Sequence, residues 1–168
     1  MELQEFYDYK NRLMMDMCTN KDLVELITGD SNHQVPARDL PYEQVYPFQY
    51  IPETENNART FVCFDVDILY KNKTNKTFYY PVIYIWIMCH KSKMKTKGRG
   101  CLTDAISCEI DKMLNGNRFY GLGELELGPV GRFIPTTDYL GREMVYYTKD
   151  FNRSPGMKPT PANRKKGV

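Results

Sequence analysis

The sequence predicts an α+β protein: a mostly antiparallel four-stranded sheet with one long hairpin, flanked by helices in the order α-α-β-β-α-β-β. Three observations carry that expectation. Two runs of apolar alternation, residues 59–71 and 76–90, are separated by the polar turn Asn72-Lys73-Thr74-Asn75. Apolar residues at helical spacing precede and follow this pair. Hairpin links, in place of strand-helix-strand crossovers, favour antiparallel pairing.

The elements read in order along the chain. Residues 2–17 bring Leu3, Phe6, Tyr7, Leu13, Met14 and Met17 to one side of a helix, with Glu5, Asp8, Lys10 and Arg12 on the other. Asn20 suits the N-cap of a second helix carrying Leu23, Val24, Leu26 and Ile27, and Gly29 supplies a left-handed stop. Residues 30–58 then change character, with Pro36, Pro41, Pro47 and Pro52 among Tyr42, Tyr46, Phe48 and Tyr50. Prolines at that density exclude a helix or a central strand. The interleaved aromatics need something to pack against, and long ordered loops are often functional, so these four rings form a candidate interface loop.

In the first long strand Val62, Phe64, Val66, Ile68 and Tyr70 share one face, and Phe61, Cys63, Asp65, Asp67 and Leu69 share the other. In its partner Phe78, Tyr80, Val82, Tyr84, Trp86 and Met88 oppose Ile83, Ile85, Ile87 and Cys89. Both faces of the partner are apolar, which predicts cover on both sides by helices or by another subunit. Pro81 marks a bulge or an edge. Strands this long, against the usual ~5–6 residues, predict a projecting hairpin whose edge needs a neighbour. Leu102, Ala105, Ile106, Ile110, Met113 and Leu114 mark a third helix, with Asp104 in its first turn and Asn115-Gly116 at its end. Leu122, Leu125 and Leu127 form a strand that stops near Pro129, and residues 142–149 form the last strand. The organisation expected is one domain over residues 1–150 and an extended basic, Pro-rich tail over 151–168.

The totals narrow the function classes. A chain of 168 residues with 42% apolar residues can bury a sizeable core. The net charge of +2 is too small for a whole surface dedicated to nucleic acid. Cys18, Cys63, Cys89, Cys101 and Cys108 are an odd, scattered set with no C-x-x-C pair, so neither a disulfide framework nor a zinc knuckle is indicated and a reducing compartment follows. The opening MELQEFYDYK lacks the pattern of a signal peptide, and the apolar run at Val82–Cys89 is too short for a membrane span.

Chemistry has few candidates. Asp65 and Asp67, at i and i+2 on one strand face, have α-carbons ~7 Å apart and can be read as half of a divalent-metal site or as a solvated face. A nuclease would need further acids and a lysine, and no convincing set stands in the chain. His33 and His90 are the two histidines, and Cys89 beside His90 belongs to an apolar alternation, the setting of a structural thiol. No phosphate-cradling glycine loop, nucleophile elbow or zinc-helix motif is present. No catalytic residue, metal site, cofactor or small-molecule ligand is expected. The segment Lys91, Lys93, Lys95, Lys97 and Arg99 alternates charge with Ser92, Met94, Thr96 and Gly98. Extended, it aims five cations one way, toward phosphate or an acidic protein surface; as a flexible loop its alternation carries nothing. Arg164, Lys165 and Lys166 are a weaker signal of the same kind.

The element order and several local motifs resemble the tail-terminator, or tail-completion, proteins of tailed bacteriophages. The resemblance rests on the two opening helices and Arg38-Asp39-Leu40-Pro41-Tyr42 followed by Tyr46-Pro47-Phe48. It continues through the hairpin, His90-Lys91, Ile110-Asp111-Lys112-Met113-Leu114-Asn115-Gly116 and Phe119-Tyr120-Gly121-Leu122-Gly123-Glu124-Leu125. It covers about residues 1–150, and the C-terminal extension departs from the family pattern. What it implies is a structural virion protein with no enzymatic role: a homo-oligomer, commonly a hexameric ring, at the tail-neck junction. Its partners would be the tail-tube protein and the neck or connector proteins, with genomic DNA passing through the lumen and no membrane involved. Asp65 and Asp67 would then line that lumen, and the basic loop and tail would grip adjacent rings. Three alternatives stay open: a neighbouring neck (head-completion) protein, a small nucleic-acid-binding or processing protein that uses the Lys91–Arg99 loop, and a host-directed inhibitor that binds one cellular protein.

Overall fold

The computed structural model describes residues 3–32, 34–52, 58–71, 78–96, 98, 100–120, 123–148 and 152–153. Two helices open the chain, α1 (Leu3–Thr19) and α2 (Lys21–Thr28). The Asn20 side chain accepts from the Leu23 N–H at 3.1 Å, satisfying one of the donors that a helix start leaves open. Gly29, at φ 74°, returns its own N–H to the Glu25 carbonyl at 2.8 Å and ends α2 as its sequence position predicts. There follow β1 (Val45–Tyr46), β2 (Thr60–Lys71), β3 (Phe78–His90), α3 (Leu102–Leu114), β4 (Leu125–Phe133), β5 (Tyr139–Thr148) and β6 (Asn152–Arg153).

The α+β class and the long hairpin stand, while the strand count and the element order are corrected. The sheet runs β1-β2-β3-β5-β4, and the short β6 pairs with β3 off that path. The four expected strands, β2, β3, β5 and β4, are its antiparallel part. β1 adds a parallel pair, Val45 with Val62 and Tyr46 with Cys63, so the sheet is mixed. Two residues between Pro41 and Pro47 are too few to show a periodicity, and β1 owes its place to tertiary contact: Val45 is fully buried against β2.

The boundaries move for physical reasons. β4 does not stop at Pro129 but runs on to Phe133 through a register shift between Leu127 and Val130. Pro129 falls inside that irregularity on an edge strand, where a residue without an N–H is tolerated. β5 begins at Tyr139 rather than at residue 142, and Gly141 is the reason it can. A Cβ at Gly141 would lie 1.6 Å from the Ile87 carbonyl oxygen, so the close approach of β5 to β3 admits only glycine there.

The helices cover one face of the sheet. Leu13, Met17, Leu23, Ile27, Ile106 and Ile110 pack against Phe64, Ile83, Ile85, Ile87, Met144 and Tyr146 in one continuous core. Each such side chain, taken fully from water, contributes roughly 1.5–3 kcal/mol. Tyr146, wholly buried, donates its hydroxyl to Asp111 of α3 at 3.0 Å, which ties the last long strand to the helix layer. The expected second cover, on the other face of β3, is partial. Tyr46, Phe61, Cys63, Met88 and Tyr139 form a smaller core there, with Tyr50, Trp86 and Phe133 at its margin. The cover is the aromatic loop of the same chain.

Candidate functional site

The aromatic loop is built from the sheet outward. Tyr46 is held by β1 and stacks on Tyr50, with centroids 4.2 Å apart and planes at 8°. Both rings lie over Phe61 of β2, at 6.2 and 5.4 Å. Tyr42 and Phe48 complete the cluster from outside, meeting Tyr46 at 6.5 and 5.6 Å. The four rings singled out in the sequence therefore share one cluster but not one role. Tyr46 and Tyr50 are the packed base, whereas Tyr42 is 61% and Phe48 43% exposed. Ile51, 50% exposed, extends the apolar surface. Tyr42 also sits at φ 62°, a backbone region that costs an L-residue with a bulky side chain about 1–2 kcal/mol. Its N–H donates to the Val45 carbonyl at 2.8 Å, which fixes that turn.

Asp65 and Asp67 do share the face opposite the helices, beside Tyr84 and Val82 of β3 in register. They are not equivalent. Asp65 is half-buried and engaged by Lys10 of α1 at 2.7 Å, while Asp67 is exposed. Around them stand Tyr84 and Trp86, stacked at 5.7 Å with planes at 10°, and Glu143 of β5, which accepts from the Trp86 indole N–H at 3.0 Å. Burial, then the nearby Asp67, Tyr147 and Glu143, push the Tyr84 phenol above its ordinary range. Among the described residues no group of three His, Cys, Asp or Glu side chains can hold a metal ion.

The basic segment does not continue β3 as an extended run. Lys91–Lys93 is a 3-10 turn, capped by the His90 ring nitrogen, which accepts from the Ser92 N–H at 3.3 Å. The cations therefore do not all aim one way. Lys91 turns to Asp138 at 2.6 Å, and its hydrogen bond and charge hold that carboxyl below the usual range. Lys95 returns to the backbone of Cys101 in an isolated antiparallel bridge. Lys97, Arg99 and His33 lie outside the described residues, as do Arg164, Lys165 and Lys166.

Lys93 and Lys95 border a cavity of about 640 Å³ between the end of α2, the start of β2 and the first turns of α3. Leu26, Ile27, Ala58, Leu102 and Ala105 make it apolar, and Arg59 and Gln44 complete its polar side. Arg59, Gln44 and Glu143 are functional candidates that the sequence does not mark. A lone arginine before a strand, or a glutamine in a loop, carries no periodic signal that marks it.

The buried thiols, Cys18, Cys63 and Cys89, are structural in setting. Burial pushes Cys63 up to about 12 and Cys18 up to about 11. Cys89 accepts a bond from the Thr60 hydroxyl at 3.4 Å inside the sheet, and its thiol is also raised, chiefly by burial. A thiol raised in this way is a weak source of thiolate, so Cys18, Cys63 and Cys89 are not poised as nucleophiles.

Fold and surfaces together define an α+β protein with helices on one sheet face and a fixed aromatic cluster on the other. The chain belongs to the YomW family, whose model matches residues 20–148. That name is one of a phage-derived gene, which associates the protein with bacteriophage. Neither a curated protein nor a solved structure matches the chain. Among the described residues no helix is long and apolar enough to cross a membrane.

Proposed function

We propose that this protein is a structural component of the virion: a tail terminator that forms a ring, caps the tail tube and joins it to the neck. It acts by assembly, without a catalytic step, and it sits at the tail-neck junction with the genome passing through its lumen. The observation that carries this reading is the outer edge of β2. β2 is 12 residues long, yet β1 covers it only at Val62 and Cys63. Beyond Cys63 no described strand pairs with that edge, and an edge of this length calls for cover. A ring supplies it, because each protomer presents one surface to a different surface of the next. The exposed rings of Tyr42 and Phe48 lie on the loop just before β2 and add an aromatic anchor to the same contact. Family membership among phage-derived proteins supports the setting.

The test is the mass of the purified protein by light scattering across a concentration series, with and without purified tail tubes. A discrete ring-sized species, alone or on tube ends, is the expected result. A strict monomer that leaves tube ends bare would overturn the reading. Binding to purified connectors in place of tubes would move the protein to the neck.

A further inference from the structure

The cavity beside the basic segment is separate from the β2 edge and the aromatic cluster that serve assembly. Its walls are apolar at Leu26 and Ile27 on α2 and at Leu102 and Ala105 on α3. Among the described residues its lining carries three cations, Arg59, Lys93 and Lys95, and one carboxylate, Glu25. Arg59 is partly engaged, donating to Glu43 at 3.1 Å, whereas Lys93 and Lys95 have no carboxylate partner among the described residues. Gln44 is fixed in place, its amide nitrogen donating to the carbonyls of Ile27 and Thr60 at 3.1 Å each. The amide thereby ties α2 to β2 at one side of the cavity. At about 640 Å³ the space lies within the ~300–1,000 Å³ of small-molecule sites, which combine apolar walls with a few placed polar groups.

We propose that this cavity is a binding site for a small amphipathic anion: an apolar body against Leu26, Ile27, Leu102 and Ala105, with its anionic head between Lys93 and Lys95. Two lysines at an apolar mouth favour such a ligand over a neutral one of the same shape. A cationic analogue meets like charge at the same mouth. The proposal does not depend on ring formation.

The experiment uses the full chain and three probes with the same eight-carbon body: octanesulfonate, 1-octanol and octylammonium. Methyl chemical shifts of Leu26, Ile27, Leu102 and Ala105 report occupancy. The sulfonate is expected to shift these methyls saturably and to bind at least tenfold more tightly than the alcohol, with the ammonium weakest. Lys93→Gln with Lys95→Gln, both at exposed positions, should weaken the sulfonate about tenfold and leave the alcohol unchanged. Ala105→Trp should abolish binding by filling the space. Failure of the sulfonate to shift these methyls would overturn the proposal. So would equal affinity for sulfonate and alcohol, or a sulfonate affinity untouched by the double lysine change.

Discussion

Lys10 of α1 places its Nζ 2.7 Å from Oδ1 of Asp65, so a residue of the helix layer holds a carboxylate of the opposite sheet face. The contact is made where β2 runs on past its two pairs with β1. The pair is partly screened, with side chains 23% and 34% exposed, and belongs with ion pairs of modest net worth. It also gives Asp65 a partner within the chain, whereas Asp67 is exposed and offers its carboxylate to anything that passes along this face.

Asp65→Asn is therefore expected to lower unfolding stability by about 0.5–1.5 kcal/mol, and Lys10→Met by a similar amount. The double change should cost less than the sum of the two, with a coupling of about 0.5–1 kcal/mol. Urea unfolding of the four proteins measures this. Strict additivity would mean that the contact contributes nothing. If the acidic face lines a lumen, Asp67→Lys should impair genome passage more than Asp65→Asn does.

Gly141 and Gly128 make a matched pair of tests. A methyl at Gly141 would meet backbone: the Ile87 carbonyl oxygen at 1.6 Å and the Met88 Cα at 3.0 Å. β5 would have to leave β3, and Gly141→Ala should cost on the order of 3 kcal/mol or more, or abolish folding. At Gly128 the nearest atoms belong to the Tyr147 ring, at 2.3 and 2.7 Å. That ring is 40% exposed and can swing aside, so Gly128→Ala should cost about 1 kcal/mol. Thermal unfolding ranks the two, and equal losses would contradict the packing described.

The buried thiols and phenols give stability a predictable alkaline slope. In the unfolded chain the thiols titrate near 9.0, while the native state holds Cys18 protonated to about 11 and Cys63 to about 12. Below pH 9 their contribution is constant. As pH rises from 9 toward 12 the unfolded chain sheds protons that the native chain keeps, so stability falls, by up to ~1.4 kcal/mol per pH unit for each thiol. Burial and the neighbouring Asp16 and Asp111 push the phenols of Tyr120 and Tyr146 the same way, which steepens the loss above pH 10.0. Guanidinium unfolding at pH 8, 9, 10 and 10.5 should show this decline, and Cys63→Ala should reduce the slope without removing it. A flat profile for the natural chain would refute the assignment.

The features legible in the sequence were those carried by many residues in phase. The two faces of β2 and β3 separate as alternation predicts, Phe64 and Ile85 to the helices and Cys63 and Trp86 to the other side. α2 is bounded by the residues that cap it, Asn20 and Gly29. What the sequence hid depends on single residues meeting distant ones. The pairing of Val45 with Val62, the reach of Lys10 to Asp65, and the cavity between α2 and α3 have no local signature. The basic segment stayed open in the sequence, because alternation of Lys with small residues is compatible with a strand or with a loop, and the His90 cap that turns Lys91–Lys93 into a 3-10 turn has no periodic signal.

Tyr42 offers the sharpest test of the assembly surface, because fold and assembly should respond to it differently. At φ 62° the residue is strained, and asparagine tolerates that conformation far better than tyrosine. Tyr42→Asn relieves roughly 1–2 kcal/mol of strain while it loses edge contacts with Tyr46 and Phe48, worth about 0.5–1.5 kcal/mol each. The two effects nearly cancel, so the protomer's own stability should move by less than about 1 kcal/mol. Assembly has no such compensation. If Tyr42 and Phe48 anchor a neighbour, Tyr42→Asn and Phe48→Ala should each weaken ring formation, or attachment to tail tubes, at least tenfold. Sedimentation across a concentration series, beside urea unfolding of the same samples, separates the two quantities. Variants that assemble like the natural chain would remove the aromatic loop from the interface and leave the β2 edge to carry it alone.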